Sequence, residues 1–518
     1  MINKSNENKL KISSLSYLQS KIIEEIYLSI DSKKEISKQE ILKKIHYKEN
    51  SKIFENALAS IIKKGAIKGN FKNGFEIPKK LNFLLEIIKT KNLRKKTKYE
   101  NLDNILKSKQ SKLFEEFNFN SLINKIDKWY SYIEEFSADL ILKKIKNENL
   151  KKNSVIYDPF IGSGTTAIVS NLSGHDAIGF DSNPLMTLVS KVKTNWTIKT
   201  SDIVKELKKI NLAFLKEIKK NEKLNYKDYF SEMPDKELDQ WLSLKNKKEI
   251  ATLKKIINKI NNKNIRDFFM VCMAKSAFDT SYVALCPGTT FYPFREKNEF
   301  WIEFGDKVNT KINQLNLIQK NIKFNKSKFY NDNCLNVGNY LKNETVDFAI
   351  TSPPYPNDLE YTRQTRLELY LLDFVKSMDD VAKIKKQMVK SSTKLIYKES
   401  NSSKFINDFN SIDEISKKIA IKLKDKNWGW DYPRMVKEYF GDMYLCLRET
   451  KKVLKKDSKF ILVCGDQTIQ GVYIPVCDIL IEISKKLGYS KSIKEKYRVR
   501  RSTGHDIPLP EDLVILTK

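Results

Sequence analysis

Apolar residues recur at helical spacing near the start of the chain, where Leu18, Ile22, Ile23, Ile26 and Ile30 mark one helix. Ser37 followed by Glu40 has the form of a capping box and opens a second helix, with Ile41, Leu42 and Ile45 inward. Ile53, Phe54, Ala57, Leu58, Ile61 and Ile62 make a third, and Gly65 is placed to end it. Ala66 to Pro78 then reads as two short strands around Asn73-Gly74, a type I′ hairpin signal. Three helices and a hairpin predict a small winged-helix-like domain over 1–88, a pattern used for duplex DNA or for protein docking. Residues 89–124, dominated by Lys and Asn, read as a linker.

From 125 onward the pattern changes. Trp129, Tyr130, Tyr132 and Phe136 form an aromatic cluster ahead of a short helix with Leu140, Ile141 and Ile145 inward. Val155 to Tyr157 is an apolar strand, followed by Asp158-Pro-Phe160-Ile-Gly162-Ser163-Gly164-Thr165-Thr166 and then a helix from Ala167 to Leu172. The two glycines permit a tight turn and close approach of a ligand, and the amides opening the helix attract a polar or anionic group. The spacing is neither that of nicotinamide-binding turns nor that of a P-loop. The next strand, Ala177 to Phe180, ends in Asp181, where an acid can hold both ribose hydroxyls of an adenosine.

Val346 to Ile350 reads as a buried strand that ends in Thr351-Ser352-Pro353-Pro354-Tyr355. Two prolines cannot continue a ladder, so the Ser352 hydroxyl and nearby carbonyls are left rigid and turned out of the sheet. Such acceptors suit the edge of a planar group bearing an exocyclic amine, with Tyr355 covering its face. Two further stretches, about 198–325 and 375–440, interrupt this α/β pattern with helical and aromatic residues.

The 518 residues are enough for two or three domains. A formal charge of +31 points to a polyanionic partner, although Lys, Asn and Ile are abundant together and the charge is partly compositional bias. Six cysteines without Cys-x-x-Cys spacing and only three histidines argue against a zinc site, so no metal is expected. The cysteines read as buried, reduced thiols of a soluble cytoplasmic protein. No apolar run is long enough to span a bilayer, and Met1 to Lys9 lacks a signal-peptide core.

The pair Asp158-Pro-Phe-x-Gly-Ser-Gly-Thr-Thr166 and Thr351-Ser-Pro-Pro-Tyr355 resembles the S-adenosylmethionine-dependent DNA methyltransferases that modify exocyclic amines. Gly179-Phe-Asp181-Ser-Asn-Pro184 looks like that family's acidic second-strand motif. Asn331-Asp332-Asn-Cys-Leu335 looks like the segment before its catalytic strand. Val453 to Val463, then Gly465-Asp466, looks like its later strands. The resemblance covers about 125–200 and 325–518. It implies a Rossmann-like, seven-stranded methyltransferase domain over 125–518, with helical insertions at 198–325 and 375–440 as candidate target-recognition regions. In the cofactor site it implies Tyr130, Tyr132, Phe136, Asp158, Phe160, Gly162, Ser163, Gly164, Thr165, Thr166, Asp181 and Asp332. In the catalytic site it implies Ser352, Pro353, Pro354 and Tyr355, acting on a base flipped from double-stranded DNA.

Arg363, Arg366, Arg500 and Arg501 are candidate DNA contacts, the first two with a salt-bridged helix start as the alternative. In the family this chain resembles, Ser at the first position of the tetrapeptide is commoner among cytosine-N4 enzymes and Asp or Asn among adenine-N6 enzymes, so the resemblance implies cytosine N4 over adenine N6 as the acceptor. The glycine motif precedes the catalytic motif here, whereas many Ser-Pro-Pro-Tyr enzymes have the reverse order. A restriction-modification or defence setting is implied, with a separately encoded endonuclease as the further partner. Two alternatives stand: an RNA guanine-N2 methyltransferase, and a DNA-binding regulator on an inactive methylase scaffold. Ser352 and the winged-helix pattern argue against the first, and the intact Gly162, Gly164, Asp181 and Ser352 against the second.

Overall fold

A computed structural model describes residues 22–23, 25–27, 29, 37–44, 52–63, 67–70, 74–76, 119–131, 136–220, 230, 240–285, 289–291, 299–322, 324–501 and 507–518. Its centre is a seven-stranded sheet of β1 (Val155–Asp158), β2 (Asp176–Phe180), β3 (Ser327–Tyr330), β4 (Val346–Thr351), β5 (Leu454–Gly465), β6 (Lys491–Arg501) and β7 (Pro508–Thr517). The order across the sheet is β6-β7-β5-β4-β1-β2-β3. The neighbours from β5 to β3 are parallel, while β7 runs antiparallel to both β5 and β6.

Alternate residues along each strand face opposite sides, and the two sides enter two different cores. Ile156, Phe348, Ile350, Ile461 and Val463 join one apolar cluster. Their neighbours Tyr157, Ala349, Phe460, Leu462 and Cys464 join the other. Helices cover both faces. The first core holds α1 (Ala138–Asn147), α2 (Thr165–Leu172), α3 (Pro184–Thr194), α4 (Thr200–Lys220), α5 (Leu244–Ile257), α6 (Lys263–Asp279) and α7 (Phe300–Asn321). The second holds α8 (Tyr432–Val453), α9 (Val476–Lys486) and the helix Asn410–Leu423. The 198–325 insertion is therefore mostly helical and packs on one face of the sheet. No described helix is long and apolar enough to cross a membrane. The five described cysteines are buried and free; Cys286 lies outside the described residues.

The described parts of 1–88 include helices Lys38–Lys44 and Lys52–Lys63 and a hairpin of Lys68–Asn70 with Gly74–Glu76. The capping box forms: the Glu40 amide donates to Ser37 Oγ at 3.2 Å, and the Ser37 amide to Glu40 Oε2 at 2.8 Å. The hairpin register corrects the expected turn. Asn70 pairs with Gly74, so Gly74 belongs to the second strand and is not the second residue of a two-residue Asn-Gly turn. These pieces do not establish a winged helix. Leu18, Ile30 and Gly65 lie outside the described residues.

Candidate active site

Parallel α/β sheets bind ligands outside the carboxyl ends of their strands, and here those ends carry both sequence motifs. After β1 the chain turns through Gly162 (φ +50°) and Gly164 (φ +93°), left-handed positions that favour glycine, and enters α2. A Cβ on Gly164 would stand 2.9 Å from Ser190 Oγ on α3, so the bare backbone also lets the turn pack on that helix. Gly179 in β2 has the same use, because a Cβ there would lie 2.6 Å from the Ile161 side chain.

Asp158 lies beneath the turn and is buried. Its carboxylate accepts from Thr166 Oγ1 at 2.6 Å, Thr351 Oγ1 at 2.5 Å and the Phe160 amide at 2.9 Å. Burial nevertheless pushes its carboxyl up to about 6, the three hydrogen bonds opposing the shift. Asp181, at the tip of β2, accepts from the Gly162 amide at 3.1 Å and the Asn183 amide at 2.7 Å. Burial pushes it higher, to about 7. Asn183 caps α3 by accepting from the Leu185 amide, with Pro184 in the first helical turn.

Ser352 follows β4 directly. Its Oγ is 3.4 Å from Tyr355 Oη, which also lies 3.1 Å from the Val463 carbonyl oxygen and 3.1 Å from Glu511 Oε1. Burial, then the neighbouring Glu511 charge, holds the Tyr355 phenol well above its ordinary range, so it stays neutral. Arg500 lies over the Tyr355 ring, 5.2 Å from its centroid. Its Nε is 3.4 Å from Glu511 Oε1, and Arg498 Nε donates to the other carboxylate oxygen. The Arg500 Nε and Nη2 are buried and make no hydrogen bond.

One cleft is lined by residues from both motifs. Phe136, Phe160, Gly162, Ser163, Thr165, Asp181 and Asp332 stand on it, and so do Ser352, Pro353, Pro354, Tyr355 and Arg500. The two motifs, about 190 residues apart in the chain, thus open on a common space. Asp332 is held locally, accepting from the Asn333 amide, Asn336 Nδ2 and Tyr340 Oη. Phe136 belongs to a segment whose start is tied to the turn: Thr165 Oγ1 and the buried Lys193 both bond Asp127.

Other predicted residues lie off the cleft. Tyr130 is buried and donates to Glu368 Oε1 at 2.8 Å; Gly164, Thr166 and Asp158 build the turn from beneath. Tyr132 and the Arg501 side chain lie outside what is described. Arg363 is exposed just beyond the Ser352–Tyr355 loop. Arg366 is half-buried, 3.9 Å from Glu360, which Lys385 also pairs at 3.0 Å. Sequence reasoning missed Glu511, Met186 and the run Gln387–Val389, all on the cleft. No motif marks them; only the alternation Arg498-x-Arg500, which puts both side chains on one face of a strand, was there to find.

Comparison with known proteins agrees with this geometry. Residues 7–192 match a DNA methylase family, and residues 137–420, more than half the chain, match the D12 class N6 adenine-specific DNA methyltransferases. The chain belongs to the DNA amino-methyltransferases. This methyltransferase is 26% identical over 365 residues to the type II methyltransferase M.MvaI of Kocuria varians, covering 64% of this chain and 74% of the relative. It is 22% identical over 406 residues to M.AvaI of a Nostoc strain, covering 70% and 79%. It is 24% identical over 413 residues to M.BsoBI of Geobacillus stearothermophilus, covering 71% and 79%. Members of the family take their methyl group from S-adenosylmethionine. The donor set here fits that cofactor: the Asp181 carboxylate keeps acceptor capacity beyond its two amide bonds and stands on the cleft beside a glycine turn.

Proposed function

We propose that this DNA methyltransferase methylates the N4 amine of a cytosine flipped out of duplex DNA, within a restriction-modification system. The observation that carries the reading is the shared cleft of Ser352 and Asp181. S-adenosylmethionine supplies an electrophilic sulfonium methyl. Asp181 and the turn at Gly162 would hold its nucleoside, and Phe136 would pack near the reacting end. Ser352 Oγ and the Pro353 carbonyl accept hydrogen bonds from the base amine, which turns the nitrogen lone pair toward the methyl. The same acceptors stabilise the positive charge that builds on nitrogen as the nitrogen–methyl bond forms and the sulfur–methyl bond breaks, leaving a neutral thioether; one amine proton then passes to solvent. Two prolines keep these acceptors from relaxing into the sheet.

Tyr355 offers its ring to the face of the base, and the base displaces the Arg500 guanidinium that rests there. Arg500 then has unspent donors beside a base edge. On the Watson–Crick edge cytosine presents N3 and O2 as acceptors beside its amine, a better match to those donors than the N1 that adenine presents on that edge. Ser352 in place of an acidic or amide side chain supports the same choice. The second reading is adenine N6, favoured by the printed description of the family matched over 137–420. The relatives' designation as type II enzymes supports a cognate endonuclease as partner.

Tritiated S-adenosylmethionine incubated with DNA, beside an RNA control, tests the reading through nucleoside analysis of the product. Label in N4-methylcytosine is expected. Label in N6-methyladenine would replace the base assignment, and label in RNA alone would overturn the substrate.

A further inference from the structure

Two tryptophans stand in water at the edge of the sheet that holds the cleft. Trp430 is 72% exposed and Trp428 is 49% exposed, in a molecule whose other four tryptophans are buried. They flank Gly429, whose φ of +82° turns the chain sharply; a Cβ there would crowd Tyr432 and Leu423. Three contacts fix the turn. Trp430 Nε1 donates to the Lys426 carbonyl at 3.0 Å, and the Lys426 ammonium sits 5.0 Å from the centre of the Trp428 ring. Tyr432 Oη donates to Asp358 Oδ2 at 2.8 Å.

The last contact places the turn. Asp358 lies three residues beyond Tyr355, in the left-handed region at φ +63°, and its other oxygen is held by Ser392 and Thr393. The turn is thus bonded to the catalytic loop itself. Topology agrees: α8 begins at Tyr432 and runs directly into β5, so its first residues lie at the carboxyl edge of the parallel strands. Lys426 also bonds Gln470, in the hairpin that follows β5 at that edge. Lys422, Lys424 and Lys426 stand among Asp425 and Asp431 along 422–431, which leaves only a slight positive balance toward phosphate.

Indole surface this exposed next to the Ser352–Tyr355 loop costs solvation and offers a flat apolar face. A duplex whose base has been extruded contains a flat apolar gap. We propose that Trp430, backed by Trp428, enters the duplex beside the cleft and stacks in the gap left by the target base. The pair holds the helix open while the base occupies the site. This rests on the duplex, flipped-base substrate argued above, and it assigns the 424–432 turn to opening DNA, leaving the reading of base edges to other residues.

The test compares two duplexes containing the sequence that the wild-type enzyme labels. In one the target base is paired; in the other it faces an abasic site, so opening is already done. Single-turnover methyl transfer by Trp430→Ala and by the double variant with Trp428→Ala is expected to fall about tenfold or more on the paired duplex, the loss of one stacking contact. On the abasic-opposed duplex both variants recover to within about threefold of wild type. Trp430→Phe keeps most of the paired rate, and cofactor binding is unchanged in all of them. Equal falls on both duplexes, or no fall on either, would overturn the wedge, the second result leaving the surface to a protein partner. A wild-type enzyme that labels no duplex DNA from which such a sequence could be drawn would remove the DNA substrate and the wedge with it.

Discussion

Thr351 Oγ1 lies 2.5 Å from Asp158 Oδ1, joining the last residue of β4 to the last residue of β1. One carboxylate therefore ties the strand tip that carries the glycine turn to the strand tip that carries Ser352. The same carboxylate bonds Thr166 and the Phe160 amide, so it sets the turn from below. The cleft depends on this brace although Asp158 does not line it.

Asp158→Ala should be among the most damaging single changes in the molecule. It leaves two buried hydroxyls and the half-buried Phe160 amide unpaired, each buried donor costing about 1–3 kcal/mol. Thr351→Val empties one contact and should cost about 1–2 kcal/mol while weakening cofactor binding and transfer together. Chemical denaturation and cofactor titration of both variants check this. Thr351→Val with wild-type stability and activity would show that the brace is idle.

Asp181 gives a pH dependence with two opposite signs. Its carboxyl is raised by burial to about 7. A raised acid contributes stability below its ordinary range and loses it as pH rises through about 7, so the free protein should melt higher at pH 6 than at pH 8. Asp158, raised to about 6, and Glu368, raised to about 7, act in the same direction. Cofactor binding should run the other way, because the ionised carboxylate is the better acceptor for hydroxyls and the better neighbour for a sulfonium. Affinity should strengthen as pH rises through about 7. Asp181→Asn should make the melting profile shallower, flatten the binding profile and weaken binding, which melting curves and calorimetry at several pH values report.

Arg500 should matter to the base and not to the cofactor. Arg500→Ala is expected to lower kcat/KM for DNA about tenfold or more, for the loss of a charged hydrogen-bond donor, with cofactor affinity intact. Replacing the target cytosine by 3-deazacytosine, which lacks the N3 acceptor, should harm the wild-type enzyme much more than Arg500→Ala. Equal sensitivity in both enzymes would place Arg500 away from the base edge.

Gly179→Ala probes the turn from the neighbouring strand. A methyl 2.6 Å from Ile161 forces that side chain to shift, at a cost of about 1–3 kcal/mol. Ile161→Ala in the same chain should not rescue the loss, because the Ile161 Cβ that crowds the new methyl remains, and thermal melts of the single and double variants check this.

The central strands and both motif turns were legible because each is local. The apolar runs Val155–Tyr157 and Val346–Ile350 announce strands, and Gly162, Gly164, Pro353 and Pro354 allow few backbone courses after them. The seven strands were expected from the resemblance and are found. What could not be read depends on register across the sheet. Arg498 reaches Glu511 because β6 pairs with β7 in that register, and Glu511 reaches Tyr355 because β7 inserts antiparallel beside β5. Gln387–Val389 come to the cleft through the fold of an insertion with no periodic signal of its own. The Asn73-Gly74 turn failed for a smaller reason: the hairpin took a one-residue longer loop, and the glycine joined a strand.

The central claim is that Ser352 faces the methyl donor held at Asp181, and one paired measurement tests it. Methyl transfer to DNA and S-adenosylmethionine affinity are determined on the same preparation of Ser352→Ala. The account predicts transfer reduced about a hundredfold or more, as for removal of a group that stabilises developing charge, with cofactor affinity unchanged. Transfer at the wild-type rate would contradict it.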